Sequence, residues 1–290
     1  MKILNLKLIF FITGVFPVFF STCIVGQNLI SKKFENHYRF GKYLFSDNDF
    51  ERAISELNKA LFFNEFVGFN KGDSIHYLIG VSYTKIGDYN LSNRYLSHVS
   101  NNDSTLYGNA VFQSSKNYFL KRNYDSTILY CRSFSNGNLL PKYSNKLTIL
   151  LALSYLLLNN TDTASAELKK ANLIDLKVCN YCTELKNFKP KSAFLAGTLS
   201  ALVPGTGKIY THNLEHGLVS MFAIGLIGYR TVIEYNSGGI GSAGFIIFGT
   251  IFLITYTANI IGSAVSAKLY NKKHYNEIHS KVLDFVNEFD

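Results

Sequence analysis

The sequence predicts an all-α fold: an array of about four helical hairpins, followed by a hairpin of membrane-crossing helices. Three observations predict it. Four windows in the middle of the chain align on one another. Apolar residues within them recur at three- and four-residue spacing, which gathers them on one helix face. The last third holds two apolar runs near the roughly 20 residues that a membrane-crossing helix needs.

Taken in order, the first element is an export segment over residues 1–26. Lys2 and Lys7 supply charge, Leu8–Phe20 is an apolar core, and small and polar residues from Ser21 to Gly26 follow. That order is the pattern of a secretion signal cleaved before Gln27. An uncleaved anchor is the alternative. Cys23 is poorly placed for lipidation, because Phe20, Ser21 and Thr22 before it do not make a lipid-attachment sequence.

The second element is the repeat array, residues 34–178. Its first copy carries Gly41, Leu44, Phe50, Ala53, Leu57 and Ala60; its second Gly80, Tyr83, Gly87, Tyr89, Ser92, Leu96 and Val99. The third carries Ser115, Tyr118, Tyr124, Thr127, Cys131 and Phe134, and the fourth Ala152, Tyr155, Ala164, Leu168 and Ala171. The anchors at 41, 80, 115 and 152 step by 39, 35 and 37 residues. Small residues are expected where paired helices cross closely: Gly41 against Ala53, Gly80 against Ser92, Ala152 against Ala164. No hairpin can bury its apolar face alone, so neighbours must stack. Cys131 is expected to be a small buried apolar group.

These windows resemble tetratricopeptide repeats, whose period is about 34 residues. The resemblance implies a superhelical array with a partner-binding groove lined by the first helix of each pair. Carried over position by position, it gives Tyr38, Lys42 and Phe45, then Tyr77 and Val81. It continues with Phe112, Lys116 and Phe119, then Lys146, Ile149 and Leu153. Lysines among aromatics suit an extended peptide with apolar and acidic side chains. The carboxylate clamp of chaperone-binding relatives is missing, because Tyr38 and Lys42 stand where its lysine and asparagine would be.

Between array and tail lie Cys179 and Cys182, read as a local disulfide or two thiols. A zinc site with His212 and His216 is disfavoured by the long separation.

The third element is the membrane tail, residues 191–271. Gly217–Ile233 and Ile240–Val265 are the long runs, with Glu234–Gly239 as the turn between them. Ala193–Val203 is a shorter run that stops at Pro204-Gly205. Asn259, in the middle of a run, wants an interhelical hydrogen bond. Gly239, Gly241 and Gly244 match a dinucleotide-binding spacing, but no strand precedes them. The stretch resembles a bacterial membrane tail found behind tetratricopeptide repeats, with the pattern S-x-x-x-P-G-x-G-x-x-Y and later S-A-x-x-Y-N. Ser200, Pro204, Gly205, Gly207 and Tyr210 carry the first part; Tyr256, Asn259, Gly262, Ser266, Ala267, Tyr270 and Asn271 carry the second. Lys208 departs from the glutamine usual there. Residues 272–290 are expected to form a polar helical end.

Topology sets two rules against each other. Export places the repeats outside the cytoplasm, whereas Lys268, Lys272 and Lys273 after the last run favour the inside. Three crossings satisfy both if Ser192–Tyr210 crosses as a helix kinked at Pro204, and the sequence favours three narrowly over two.

Composition narrows the function classes. The chain has 290 residues, 47% of them hydrophobic, and a formal net charge of +9. Its lysines are scattered or flank apolar runs, which disfavours nucleic acid as a partner. No nucleophile elbow, H-E-x-x-H or carboxylate pair is present, so no catalytic, cofactor or metal residues are assigned. The reading is a non-enzymatic scaffold of a bacterial inner membrane. Its repeats, on the periplasmic side, hold a protein or peptide, and its tail meets lipid. The alternative is a small channel, transporter or insertion factor with the repeats as an accessory.

Overall fold

The computed structural model describes residues 27–135, 139–170 and 176–288. The expected export segment lies outside them. Thirteen helices and no strand occur among the described residues. The chain divides into two compact units between Cys179 and Asn180.

The first unit is a succession of helical hairpins. α1 covers 27–46 and pairs with α2, Phe50–Val67. α3, Gly72–Lys85, pairs with α4, Tyr89–Leu96. α5, Ser104–Leu120, pairs with α6, Tyr124–Ser135. α7, Pro141–Leu157, pairs with α8, Thr161–Lys170. α9, Leu176–Asn187, runs across the division. These are the four stacked hairpins that the tetratricopeptide resemblance implies.

One three-residue turn closes all four hairpins. Its middle residue is left-handed: Asn48 (φ 63°), Gly87 (86°), Arg122 (59°) and Asn159 (61°). The next backbone N–H donates to a carbonyl five residues back: Asp49 to Leu44, Asp88 to Tyr83, Asn123 to Tyr118 and Asn160 to Tyr155, at 2.9–3.1 Å. The same residue then caps the second helix. Asp49, Asp88, Asn123 and Asn160 accept from the N–H groups of Arg52, Leu91, Ser126 and Thr163. An Asp or Asn at this position satisfies a donor that the helix itself leaves open. The middle residues step by 39, 35 and 37, the spacing of the sequence anchors.

Apolar faces then stack. Phe34, Leu44, Leu57, Ile75 and Ile79, each at most 2% exposed, form one core across the first two hairpins. A Cβ on Gly41 would come within 2.8 Å of Leu57, and one on Gly80 within 2.6 Å of Leu96. The sequence pairs these glycines with Ala53 and Ser92, one turn earlier. A helical side chain leans toward its N-terminus, so the leucine one turn on covers the glycine. Cys131 is fully buried as expected, and its surroundings push the thiol pKa up to about 12.

The second unit begins within α9. α10, Ala193–Leu202, and α11, Thr206–Tyr210, form a short helical hairpin. α12, Leu214–Gly238, and α13, Ala243–Asn287, are long and apolar enough to cross a membrane. Only 11% and 6% of their most apolar windows are buried. The core helix of a water-soluble protein would be mostly covered. Here Val219, Phe222, Leu226, Ile246, Ile247, Leu253, Ile254 and Ile261 stand open. α12 continues to Gly238, so the turn is Gly239–Ser242 rather than Glu234–Gly239. Arg230 pairs with Glu234 one turn on, at 2.5 Å, which lets the helix continue through the charges. The polar helical end expected after residue 271 is the continuation of α13.

Candidate functional site

The expected partner face separates into two sets. Tyr38 and Phe45 are half-buried and Lys42 is exposed, its ammonium 5.6 Å from the Tyr38 ring. Burial raises the Tyr38 pKa against a hydrogen bond to Ser74. Tyr77 and Lys146 are half-buried, and Lys146 lies 4.8 Å over the Phe112 ring. Phe112, Lys116 and Phe119 do not stand open: they are 6%, 5% and 0% exposed. Val81, Ile149 and Leu153 are also buried. The cause is α5, an inner helix in contact with α3, α4, α6 and α7. A position that faces a groove in an end repeat meets neighbouring helices here.

A polar cluster was not legible from the repeat pattern. The fully buried Asn117 amide nitrogen donates to Ser92 Oγ and Asn93 Oδ1, both at 2.7 Å. Its oxygen accepts from Thr84 Oγ1 at 2.9 Å. Gln113 Nε2 donates to the same threonine oxygen at 3.3 Å.

In the tail, the motif residues meet around the α10–α11 hairpin. Gly205 is left-handed (φ 87°), and a Cβ on it would lie 2.0 Å from Gly217 O. A Cβ on Gly207 would lie 1.9 Å from Ala196 O. The Gly207 N–H donates to Ser200 Oγ, which is 2.7 Å from Ser263 Oγ. Both serines are fully buried. Tyr256 O–H donates to Ala201 O, and Thr211 Oγ1 lies 2.7 Å from Ser266 Oγ. Lys208 reaches Ser220 Oγ and passes beside Gly262. Pro204 stands at the bend between the two short helices.

This geometry is not the single helix kinked at Pro204 on which a third crossing was built. The Ser192 N–H donates to Tyr210 O–H at 3.3 Å, so the stretch from 192 to 210 returns to where it began. Asn271 ties its start to α13: its amide donates to Lys191 O at 2.9 Å and accepts from Lys191 N at 2.8 Å. Ten residues of α10 rise only about 15 Å, half a hydrocarbon core. The glycines permit the return because they let α11 lie directly on α10 and α12.

Asn259 is 5% exposed, and neither its side-chain oxygen nor its nitrogen has a hydrogen-bond partner. The interhelical bond expected of it is not made. Cys179 and Cys182 are thiols. Among the described residues, no group of three or more His, Cys, Asp or Glu side chains is placed to hold a metal.

No family model and no curated protein matches the chain. Among solved structures it is similar to a chain described as "Functional Characterization of Pseudomonas Aeruginosa pilF". The identity is 12% and the TM-score 0.38, over 87% of this chain and 99% of that one. At that level the likeness adds nothing to the fold, which rests on the hairpins and their common turn.

Proposed function

We propose that the protein is a non-enzymatic scaffold held in a bacterial inner membrane by α12 and α13. Its helical repeats capture a protein or peptide segment. The observation that carries the anchoring is the open apolar surface of both long helices, of which so little is buried. Partner capture is supported by the part of the repeat face that is not fully buried: the exposed Lys42 and the half-buried Tyr38, Phe45, Tyr77 and Lys146. Aromatic rings beside ammonium groups suit an extended segment with apolar and acidic side chains.

With two crossings, the chain enters and leaves the membrane on one side. The export segment then puts the repeats and the C-terminal end together on the periplasmic side. Lys186, Lys189, Lys191, Lys268, Lys272 and Lys273 flank the spans there, against the positive-inside tendency. The first apolar segment usually dominates orientation, and it favours export.

The test is partner capture from envelope extract by Lys42→Glu combined with Lys146→Glu. Lys116 is unsuitable because it is buried. Loss of capture with an unchanged helical spectrum supports the reading; unchanged capture removes this face from it.

A channel, transporter or insertion role for the tail has one observation in its favour, the unmet polar atoms of Asn259. Ion flux across proteoliposomes that is present in the native protein and lost in Asn259→Leu would favour that second reading.

A further inference from the structure

The tail contains a cavity that neither anchoring nor partner capture uses. Its volume is about 450 Å³, within the span of about 300–1,000 Å³ typical of small-molecule sites. It lies between the α11–α12 turn and the stretch of α13 just beyond Ser266. His212, Asn213, Tyr270, Lys273, His274 and Glu277 are among the residues that line it.

Its wall carries both signs of charge. Lys273 Nζ and Glu277 Oε1 are 4.0 Å apart, one helical turn from each other. Two imidazoles and an amide stand around them. His274 is held by its ring, stacked on Phe188 at 3.8 Å between centroids, yet its buried Nε2 has no hydrogen-bond partner. A buried polar atom left unmet calls for an explanation, and an absent ligand is one.

The α11–α12 turn repeats the geometry of the four repeat turns, with one difference. His212 is left-handed (φ 60°), and Asn213 N donates to Lys208 O at 2.9 Å. In the repeats the next step is a side-chain cap; here Asn213 makes none. The amide that would close on its own helix lines the cavity instead.

The aromatic and basic surroundings of the cavity supply the class of ligand. Tyr210, Tyr270 and Phe188 surround this end of the spans, with Lys191 4.6 Å over the Tyr210 ring. Aromatic and basic residues gather at the level of lipid headgroups. An anion alone would meet Glu277, and a cation alone would meet Lys273. A group that carries both charges a few bonds apart meets neither objection.

We propose that this cavity holds a phosphoethanolamine group. The phosphate faces Lys273, His212, the Asn213 amide and the unmet His274 Nε2, as donors to its oxygens. The primary ammonium faces Glu277 and the Tyr270 ring. The trimethylated ammonium of phosphocholine has no N–H to donate to the carboxylate and is disfavoured. The inference rests on α12 and α13 being membrane spans.

The experiment is native mass spectrometry of the full chain in detergent. Phosphatidylethanolamine, phosphatidylcholine and phosphatidylglycerol of one acyl composition are supplied together. The ethanolamine lipid is retained about tenfold over the others, a difference of about 1.4 kcal/mol. Lys273→Glu abolishes that preference. Glu277→Lys, at an exposed side chain, shifts it to phosphatidylglycerol. Soluble phosphoethanolamine that competes the lipid away shows that the head group alone suffices; retention without competition assigns the bilayer lipid as the source. Equal retention of the three lipids, or an order unchanged by Glu277→Lys, overturns the proposal. Alkaline carbonate extraction separates the two levels. Protein stripped from vesicles sinks the span reading, whereas protein that stays but shows no lipid order sinks this inference alone.

Discussion

The Asn117 amide nitrogen donates to Ser92 Oγ at 2.7 Å, from the third hairpin to the second. Both residues are fully buried, and Thr84 and Asn93 complete the cluster. Stacked repeats bury interchangeable apolar faces, and such faces can slide. A satisfied polar cluster allows one register, because a shifted one leaves donors unmet.

Asn117→Ala therefore removes the bonds to Ser92, Asn93 and Thr84, leaves the Asn93 oxygen without that donor, and leaves the Ser92 and Thr84 hydroxyls with only each other and Gln113. The expected loss is about 2–4 kcal/mol, combining unmet polar groups with a small cavity. Denaturant unfolding of the full chain, followed by circular dichroism, measures it. A loss below about 0.5 kcal/mol would deny the cluster this role.

His76 predicts an acid sensitivity in the repeats. Its pKa is lowered, first by burial and then by His98, whose ring stacks on it at 5.1 Å. Asp73 and Glu65 oppose the shift. The folded state thus resists a proton that the unfolded chain accepts near pH 6.5. The sign follows: the contribution is fully present above that pH and is lost as pH falls toward and through the lower folded value. Native protein should lose melting temperature on going from pH 7.5 to pH 5.5 relative to His76→Phe. Parallel curves for the two would refute it.

Gly207→Ala tests the returning hairpin. Its Cβ would meet a backbone carbonyl, which no rotamer change relieves. The expected cost exceeds about 3 kcal/mol, read as lost resistance to heat-induced aggregation in detergent. Gly225→Ala, on the same set of helices with open space at its Cβ, serves as the neutral control.

A reporter fused after Asp290 tests the topology. With two crossings and exported repeats, a periplasmic reporter is active there and a cytoplasmic one is silent. The reverse pattern places this end inside and sinks the combination of two crossings with exported repeats.

The repeat fold was legible because its signals are local. Gly41 and Gly80 mark close crossings, and Asp49, Asp88, Asn123 and Asn160 mark the caps at the same spacing. The sequence reading used the first set and overlooked the second, although an Asp or Asn before each second helix was there to find. The orientation of α5 was not legible. Lys116 and Asn117 are polar residues on a helix with neighbours on several sides, and polarity normally reports solvent. The return at Pro204 was hidden for another reason. α11 has five residues, too few to show a period, and apolar content alone does not distinguish a helix that crosses from one that turns back. The cavity combines a turn near residue 212 with a helix face near residue 273, which no local pattern joins.

α13 is one unbroken helix of 45 residues. At about 1.5 Å per residue it is about 68 Å long, more than twice the thickness of a hydrocarbon core. Its apolar start and its polar end therefore share one axis and one rotational phase. At the polar end, Val282 and Val286 are buried and Phe285 packs edge-on to Tyr181, with ring centroids 6.3 Å apart. A twist of the apolar half would carry those side chains around by the same angle and pull them off their seat. The helix acts as a torsion bar, so the packing of Phe285 on Tyr181 sets the rotational phase in which Ala243–Val265 presents its apolar side chains.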